Sequence, residues 1–278
     1  MGPDKLLVVD VGMHRGEDAE NYLAQGFCVL SIEANPALVS DVTNRLASHV
    51  KSGDLRIVHA AIVERPGDVL LHVGSESGWS SVDPRRAGAP SDTQHVVVPG
   101  RTLADVLEGE VAHYVKIDIE GEDAAAVRSA LTLSHLPDYL SWECDLTDLT
   151  ELAALVGEVK ACGYARFKLV NQARNDDGNL SGPFGDAAPG PWMDAQQLLD
   201  RLRVVAHQQR LRTRIAEGDR LAGISLSRLR PLLRRVYGAP AVKALRSSWS
   251  HVRGTEMGGW FDIHAARPHE AAQDTASP

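Results

Sequence analysis

Four carboxylates stand at the ends of predicted strands in this 278-residue sequence: Asp10, Glu33, Asp118 and Glu143. A carboxylate in such a place can accept hydrogen bonds from ribose hydroxyls, take a proton as a general base, or bind a hard cation. In open parallel sheets the ligand lies outside the carboxyl ends of the strands, where these four acids would meet. Acids at loop starts are also common on protein surfaces, so their interpretation depends on the elements that position them.

Strands and helices alternate over about the first 170 residues, which favours a mostly parallel sheet with helices on both faces. The first strand contains the apolar run Leu6–Val9 and ends near Asp10. A continuous apolar run is typical of a strand that is buried on both faces. The sequence therefore predicts an α/β core over residues 1–170.

The loop after the first strand has the spacing Asp10-x-Gly12-x-x-x-Gly16. Glycines let the backbone turn tightly and approach a ligand, and the helix that follows would point free N–H groups at it. The G-x-G-x-x-G fingerprint of dinucleotide binding is absent. An ordinary strand–turn–helix corner is the alternative interpretation of this loop.

Glu33 ends the second predicted strand, about 20 residues past the first loop, where an acid can accept both hydroxyls of a ribose. A nucleoside without a pyrophosphate needs only one close approach to the loop, and S-adenosylmethionine is such a ligand. Its amino-acid part would lie over Asp10–Gly16, its ribose on Glu33 and its adenine near His59–Ala61.

Four motifs resemble the FkbM family of S-adenosylmethionine-dependent methyltransferases: Val9–Gly12, Glu33–Pro36, Lys116–Glu122 and the strand that ends at Glu143. The Lys-Ile-Asp-x-Glu-Gly run is the most specific of them, and the resemblance covers roughly residues 5–170. Two further stretches are similar to one bacterial subgroup of the family, Ser181–Gly185 and Trp260–His264.

The resemblance implies a class I methyltransferase (Rossmann-like) fold and, usually, O-methylation of a hydroxyl on a sugar or a related natural product. His14 stands where the family more often has Asn, which leaves its role open. Together with the strand-end argument, the predicted cofactor-binding residues are Asp10, Gly12, His14, Gly16, Glu33, Ala34, Asn35, Ala60, Ala61 and Asp118.

Three carboxylates are candidates for the catalytic base: Asp118, Glu120 and Glu143. An aliphatic hydroxyl is a weak nucleophile at neutral pH, so a positioned base would assist in-line attack on the sulfonium methyl group. The trio could instead bind Mg²⁺, an alternative that we do not predict. Glu120 is also consistent with a plain helix N-terminal acid. Lys116, between apolar neighbours, is expected to be a buried partner of one of these acids.

Residues 171–257 interrupt the last two strands and are expected on the acceptor side of the sheet. Asn179–Gly185 predicts a lid with glycine hinges, with a plain long connection as the alternative. Residues 258–264 are the predicted final strand, and residues 265–278 a disordered tail.

Positive charge is concentrated in this insertion. From Asp194 to Glu256 there are 13 arginines and lysines against 5 aspartates and glutamates, a net +8 that leaves −16 on the rest of the chain. The arginine-rich segment would bind an anionic acceptor, contact an anionic membrane surface, or form a solvated face that pairs with the acidic core.

The composition, 44% hydrophobic and 24% charged residues, indicates a soluble globular protein. No stretch reaches the ~20 apolar residues of a membrane-spanning helix, and the N-terminus gives no signal peptide. Three widely spaced cysteines give no disulfide framework and no thiolate metal site, so a cytoplasmic location is expected. Nucleic acid is not an expected partner, because aromatic residues are few and are not interleaved with the arginines.

The expected partner is a small-molecule or glycolipid acceptor, and the sequence leaves the oligomeric state undetermined. Two other functions remain open: an NAD-type oxidoreductase on the same fold, and a non-catalytic module that binds a nucleoside or a membrane. The glycine spacing argues against the oxidoreductase. The intact set of Asp10, Gly12, Glu33 and Asp118 favours catalysis over the module.

Overall fold

The computed structural model describes residues 5–74, 81, 94–119, 121–172, 183–221 and 260–268, without the side chains of 211–221. Some of the predicted features therefore lie outside the described residues: Glu120, the first part of the lid, the arginines of 222–259 and the tail after 268. Within the described part, no helix combines the length and the apolar character needed to cross a membrane.

Ten strands and seven α-helices follow one another along the described chain. Their bounds are β1 Leu7–Val11, α1 Glu17–Ala24, β2 Cys28–Glu33, α2 Pro36–Arg45, α3 Ala47–Ser52, β3 Leu55–His59, β4 Ala61–Ile62, β5 Gly67–Val73, β6 Gln94–Arg101, α4 Leu103–Leu107, β7 Tyr114–Ile117, α5 Asp123–Leu131, β8 Tyr139–Glu143, α6 Leu149–Ala161, β9 Arg166–Asn171, α7 Ala195–Leu221 and β10 Phe261–Ala266.

Seven of the strands form one sheet in the order β3-β2-β1-β7-β8-β10-β9. The strands β3, β2, β1, β7 and β8 pair in parallel, and β10 runs antiparallel to both of its neighbours. The predicted mostly parallel sheet is therefore confirmed. The strands β4, β6 and β5 form a separate three-stranded sheet.

Helices cover both faces of the large sheet. On one face, side chains of α4, α5, α6 and α7 share the largest apolar core, to which α7 contributes Leu198, Leu202 and Val205. On the other face, α1 and α2 pack through Tyr22 and Val42. Both layers bury apolar side chains against the sheet, which is the main source of stability for such an architecture.

Local sequence signals begin several of these helices. Asn35 caps α2 by accepting a hydrogen bond from the Ala37 N–H, with Pro36 at the first helical position. Thr102 and Asp105 form a capping box at the start of α4. Asp148 caps α6. These caps satisfy backbone donors that would otherwise have no partner.

Three elements differ from their predicted bounds. The Asn35-Pro36 start signal and Gly53 predict one helix over residues 35–51, but the structure has two helices, α2 and α3, separated at Leu46. Residues 55–62 read as one strand in the sequence, but they divide into β3 and β4, which belong to different sheets. The final strand is Phe261–Ala266 and not 258–264, so the first two residues of the predicted tail belong to the sheet, where pairing with β8 and β9 buries them.

The described end of the predicted lid does not lie over the site edge. Phe184 stacks on Tyr114, the first residue of β7, with the ring centroids 4.0 Å apart. A Cβ on Gly185 would lie 3.0 Å from the ring of Tyr139, the first residue of β8. Both contacts are at the amino ends of the strands, opposite to the carboxyl edge. Gly185 is therefore a close-packing position, and the lid itself stays a prediction because residues 179–182 lie outside the described part of the chain.

Candidate active site

A cavity of about 240 Å³ opens at the carboxyl edge of the large sheet. It lies between the β1–α1 loop, the end of β2, the residues after β3 and the β7–α5 turn. Seven of the predicted site residues line it: Gly12, His14, Glu33, Ala34, Ala60, Ala61 and Asp118. The structure therefore brings the predicted loop, ribose and adenine positions together around one cavity.

Three predicted cofactor residues, Asp10, Gly16 and Asn35, are not part of the cavity wall. Asp10 is fully buried beneath it. Gly16, at φ 78°, precedes α1 at a point where a Cβ would lie 3.0 Å from the Val42 side chain. The side chain of Asn35 is occupied in capping α2. These residues support the site from behind and do not face it.

The backbone of the β1–α1 loop is unusual in conformation. Gly12 has φ 86°, and a Cβ there would overlap the carbonyl oxygen of Asp118. Glycine is therefore required because the ends of β1 and β7 come together at this point. His14 also has positive φ, 52°. Its backbone N–H donates to Oε2 of Glu33 at 2.8 Å, so the loop is tied to the end of β2.

Glu33 is the best-positioned polar group of the cavity. Its Oε2 accepts the His14 N–H and its Oε1 accepts the Asn35 N–H, both at 2.8 Å. Burial raises the pKa of Glu33, although these backbone hydrogen bonds act to lower it. A carboxylate oxygen can accept more than one hydrogen bond, so each oxygen can still accept a ligand hydroxyl.

The far end of the cavity is mostly apolar. Ala60 and Ala61 follow β3, and Leu38, Ile62 and Leu71 lie beside them. The Ala60 N–H donates to the Glu33 carbonyl oxygen at 3.1 Å, which fixes this end relative to β2. An apolar wall next to a fixed carboxylate suits a flat heterocycle attached to a ribose.

Beneath the cavity, Lys116 contacts three carboxylates. Its Nζ lies 2.9 Å from Asp18, 3.4 Å from Asp118 and 3.5 Å from Asp10. Burial acts to lower the pKa of Lys116, but the three acids together raise it well above its usual value. The expected buried pairing of Lys116 is confirmed, and it involves three partners instead of one.

Asp10 differs from Lys116, because its environment favours the uncharged form of its side chain. Burial, only partly offset by Lys116, raises the pKa of its carboxyl from 3.8 to about 6. Asp10 lies in register with Ser31 of β2 and with Lys116 of β7, inside the sheet. It therefore belongs to a buried polar row and is not exposed to a ligand.

The three candidate bases lie in different places. Asp118 follows β7 and lines the first cavity. Glu143, at the end of β8, lines a second cavity beyond the β7–α5 turn. Glu120 lies outside the described residues. Among the described residues, no group of three His, Cys, Asp or Glu is arranged to hold a metal ion.

Two acids of this region were not predicted as site residues. Asp18 is an acid in the first turn of α1, which in the sequence suggests only a favourable interaction with the helix dipole. Its contact with Lys116 depends on how α1 packs on the sheet. Asp262 lies opposite Glu143 on β10, and burial together with the charge of Asp118 raises its pKa well above the usual value. The sequence did contain one indication of Asp262, because it is an acid between the apolar residues Phe261 and Ile263 of the predicted last strand.

A family model described as the methyltransferase FkbM domain matches residues 10–165, more than half of the chain. The chain belongs to the FkbM methyltransferase family. The resemblance found in the motifs is thus confirmed. The described residues of the Lys116–Glu122 run in the FkbM chain form the end of β7 and part of the connection to α5. The sheet order, with a single antiparallel strand next to the edge, confirms the class I, Rossmann-like fold.

No curated protein matches the FkbM chain. Solved structures similar to it include "METTL16 MTase domain", at 12% identity and TM-score 0.37, covering 60% of this chain and 54% of that one. The match thus spans about half the length of that structure.

Two other solved structures are methyltransferases from named organisms. The precorrin-6y C5,15-methyltransferase from Geobacter metallireducens is 11% identical, with TM-score 0.34, and the match covers 62% of this chain and 71% of that one. Phosphoethanolamine N-methyltransferase 2 from Haemonchus contortus, in complex with S-adenosyl-L-methionine, is 11% identical, with TM-score 0.38, and the match covers 96% of this chain and 50% of that one. These values are too low to support a statement about the activity of the FkbM chain.

Proposed function

We propose that this chain is an S-adenosylmethionine-dependent O-methyltransferase that acts on a hydroxyl of a sugar, a glycolipid or a natural product. The observation that carries the proposal is Glu33, whose two carboxylate oxygens are fixed at the cavity by backbone N–H groups from two loops. A fixed carboxylate of this kind suits the two vicinal hydroxyls of a ribose. Membership of a methyltransferase family supports methyl transfer as the reaction.

The residues of the first cavity fit this cofactor along its whole length. The loop from Gly12 to His14 would hold the amino-acid end, Glu33 the ribose, and Ala60 and Ala61 the adenine. Acids outnumber bases in the wall even though Lys116 contacts Asp18 and Asp118, and the remaining negative charge favours a positively charged ligand. When bound, S-adenosylmethionine supplies a methyl group on a positively charged sulfur atom.

The chain must supply a group that receives the proton of the acceptor hydroxyl. Bond formation between the hydroxyl oxygen and the methyl carbon, with cleavage of the carbon–sulfur bond, would release the hydroxyl proton, and a carboxylate of the chain would receive it. Asp118 and Glu143 lie on either side of the β7–α5 turn, where donor and acceptor would meet. Lys116, at 3.4 Å, orients Asp118 without leaving the sheet interior.

A cytoplasmic location remains part of this proposal, supported by three free cysteines. The anionic-acceptor and membrane hypotheses for the arginine-rich segment also remain proposals. Their arginines lie mostly outside the described residues.

Isothermal titration calorimetry with S-adenosylmethionine tests the cofactor site. Glu33→Ala is expected to weaken binding by about 1–3 kcal/mol, because it removes a buried carboxylate that accepts ligand hydroxyls. Glu64→Ala is the matched control, since Glu64 is exposed and is not among the residues that line the cavity. Unchanged affinity in Glu33→Ala would contradict the ribose assignment.

The same preparations distinguish catalysis from binding alone. With methyl-labelled cofactor and cell extracts, mass spectrometry should show methylated product, and loss of the base in Asp118→Asn, Glu120→Gln or Glu143→Gln should lower turnover about 10²–10⁴-fold. Cofactor binding should be retained in Glu143→Gln, which lies outside the first cavity. Full turnover in all three variants would reject the acid-assisted mechanism. Cofactor binding without any turnover of the wild type would favour the non-catalytic module.

A further inference from the structure

The three-stranded sheet has an outer face that points away from its apolar core. In the hairpin of β5 and β6, Leu71 and Val98 point inward and are buried. Side chains alternate between the two faces of a strand, so His72 of β5 and His95 of β6 lie on the outer face. These two histidines are direct partners in the antiparallel pairing of the strands. His95 is exposed and His72 is half-buried, so the two imidazole rings lie side by side at the surface.

The separation of the two rings matches that of two imidazoles bound to one metal ion. Their centroids are 4.7 Å apart, and the angle between the ring planes is 90°. A Zn–N bond is about 2.0–2.1 Å long, so a ligand angle of about 90–110° places the two centroids roughly 4.5–5.2 Å apart. The angle between the planes can vary, because each ring can turn about its metal–nitrogen bond. The pair therefore has the spacing for chelation without movement of the backbone.

The chemistry of the pair selects the class of ion. Neither ring takes part in a hydrogen bond or an ion pair with the part of the chain that the structure describes. Neutral imidazole is the commonest metal ligand in proteins and suits Zn²⁺, Cu²⁺ and Ni²⁺, whereas Mg²⁺ and Ca²⁺ prefer oxygen. Among the described residues, no group of three His, Cys, Asp or Glu is arranged to hold a metal ion. The pair is thus a two-ligand arrangement, in which water would complete the coordination of the ion.

The hairpin also forms part of the wall of the first cavity. Leu71, which precedes His72, lines that cavity, and so does Ser81. Ser81 and His72 exchange two backbone hydrogen bonds, of 2.9 and 3.0 Å. The strand β5 is at the edge of its sheet, next to β6. A link between the two strands on the outer face would therefore stabilise the cavity wall on the inner face.

We propose that His72 and His95 form a binding site for a late first-row transition metal ion, with Zn²⁺ as the expected ion. One nitrogen of each ring coordinates the ion, which cross-links β5 to β6. The ion is structural, since it stabilises the hairpin beside the first cavity and takes no part in methyl transfer. The site goes beyond the proposed function and does not depend on it.

Isothermal titration calorimetry of the full-length chain, without a histidine tag, tests the site with zinc chloride as the probe. We expect Zn²⁺ to bind and to raise the temperature of thermal unfolding, because a ligand of the native state stabilises that state. His72→Gln and His95→Gln should each weaken this binding at least about tenfold, since each leaves a single imidazole. Magnesium chloride should give the same heats in the wild type and in both variants, because Mg²⁺ prefers oxygen ligands.

His135→Gln is the matched control, because His135 is exposed and lies in the connection between α5 and β8. It should leave Zn²⁺ binding unchanged. Nitrogen-15 NMR of the imidazole rings gives a direct measurement, in which Zn²⁺ should shift a ring nitrogen of both His72 and His95. The single substitutions assign these signals. The circular dichroism spectrum of each metal-free variant should match that of the wild type, which shows that the fold is intact.

Two results would overturn the site. One is a Zn²⁺ affinity that is equal in the wild type, His72→Gln and His95→Gln, which would place the ion elsewhere on the chain. The other is an absence of change in the ring nitrogen signals of both histidines at saturating Zn²⁺, which would show that the rings make a T-shaped contact only. If one variant does not fold, the other variant and the NMR measurement on the wild type decide the question.

Discussion

His14 has a left-handed backbone conformation, with φ 52°. Among residues other than glycine, Asn, Asp and His occupy this region most often, because short polar or planar side chains tolerate it best. The family more often has Asn at this position, and His satisfies the same backbone requirement. The departure from the family pattern therefore has a conformational explanation, and the cavity-facing side chain of His14 needs no catalytic role.

The Lys116 cluster illustrates why a buried charged side chain is usually paired with groups of opposite charge. One ammonium group lies within 3.5 Å of three carboxylates, and only Asp118 has a substantially exposed side chain, at 48%. Removing the ammonium would leave uncompensated carboxylates in the sheet interior, which is strongly unfavourable. Lys116 therefore stabilises the junction of β1 and β7 from the sheet interior. Asp118 remains accessible from the cavity.

Asp10 should make the stability of the fold depend on pH. Burial raises the pKa of its carboxyl in the folded state from 3.8 to about 6. Between these values the native state binds more protons than the unfolded state, so the free energy of unfolding falls as the pH rises from about 4 to about 6. Asp10→Asn should flatten this slope. The change in the free energy of unfolding between about pH 4 and about pH 6 should become smaller by about 3 kcal/mol at most. Urea denaturation at pH 4, 5, 6 and 7 measures the slope.

Asp54→Asn is the control for this experiment. The hydrogen bond from Lys5 lowers the pKa of the Asp54 carboxyl below 3.8, so its contribution is lost only as the pH falls through still lower values. It should leave the slope above pH 4 unchanged. A slope in Asp10→Asn equal to that of the wild type would show that Asp10 titrates at the same pH in both states.

At the scale of elements, the site is made by convergence of the β1–α1 loop and the β7–α5 turn. The Asp118 N–H donates to the Val11 carbonyl oxygen at 2.9 Å, which joins the two strand ends. The close approach leaves room for no side chain at residue 12. The two segments are more than 100 residues apart in sequence, so their contact depends on the order of the strands.

Gly12→Ala should therefore both destabilise the fold and weaken cofactor binding. Positive φ alone costs an alanine about 1–2 kcal/mol, and overlap with the Asp118 carbonyl adds to this. Gly26→Ala is the matched control, because Gly26 has φ 92° and a Cβ there would have nothing within 4 Å. Urea denaturation and calorimetry with S-adenosylmethionine compare the two. Equal losses would mean that the Asp118 contact is unimportant.

At the scale of the whole molecule, the last strand completes the sheet from within. The strand β10 lies between β8 and β9, and all six of its residues are buried. Without it, β9 would have no partner in the large sheet. The stability of the fold therefore depends on a segment separated from the FkbM match, which ends at residue 165.

Two truncated chains test this dependence. A chain that ends after residue 259 should lose its cooperative thermal transition, because the edge of the core would be exposed to water. A chain that ends after residue 268 retains β10 and should unfold like the full chain. Circular dichroism during heating measures both. An unchanged transition in the shorter chain would contradict the central role of β10.

Much of this protein follows from local sequence patterns. Apolar runs, capping residues such as Asn35 and Thr102, and glycine stops define most strands and helices, because these signals act within a few residues. The acids at strand ends and the Lys116–Glu122 run indicate the edge at which a ligand binds, since parallel strands share one carboxyl edge. Glu33 was identified in this way, and the structure places it at the cavity.

Only the tertiary structure distinguished residues that face the cavity from those that support it. Asp10 and Glu33 both end predicted strands, yet sheet pairing buries Asp10 beside Lys116 and leaves Glu33 at the cavity wall. Likewise, the contact of Asp18 with Lys116 and the position of Asp262 opposite Glu143 arise from helix packing and strand order. The sequence determines which groups lie at the ends of elements. Whether each group meets solvent, a ligand or a buried charge is decided by long-range packing, which local periodicity does not encode.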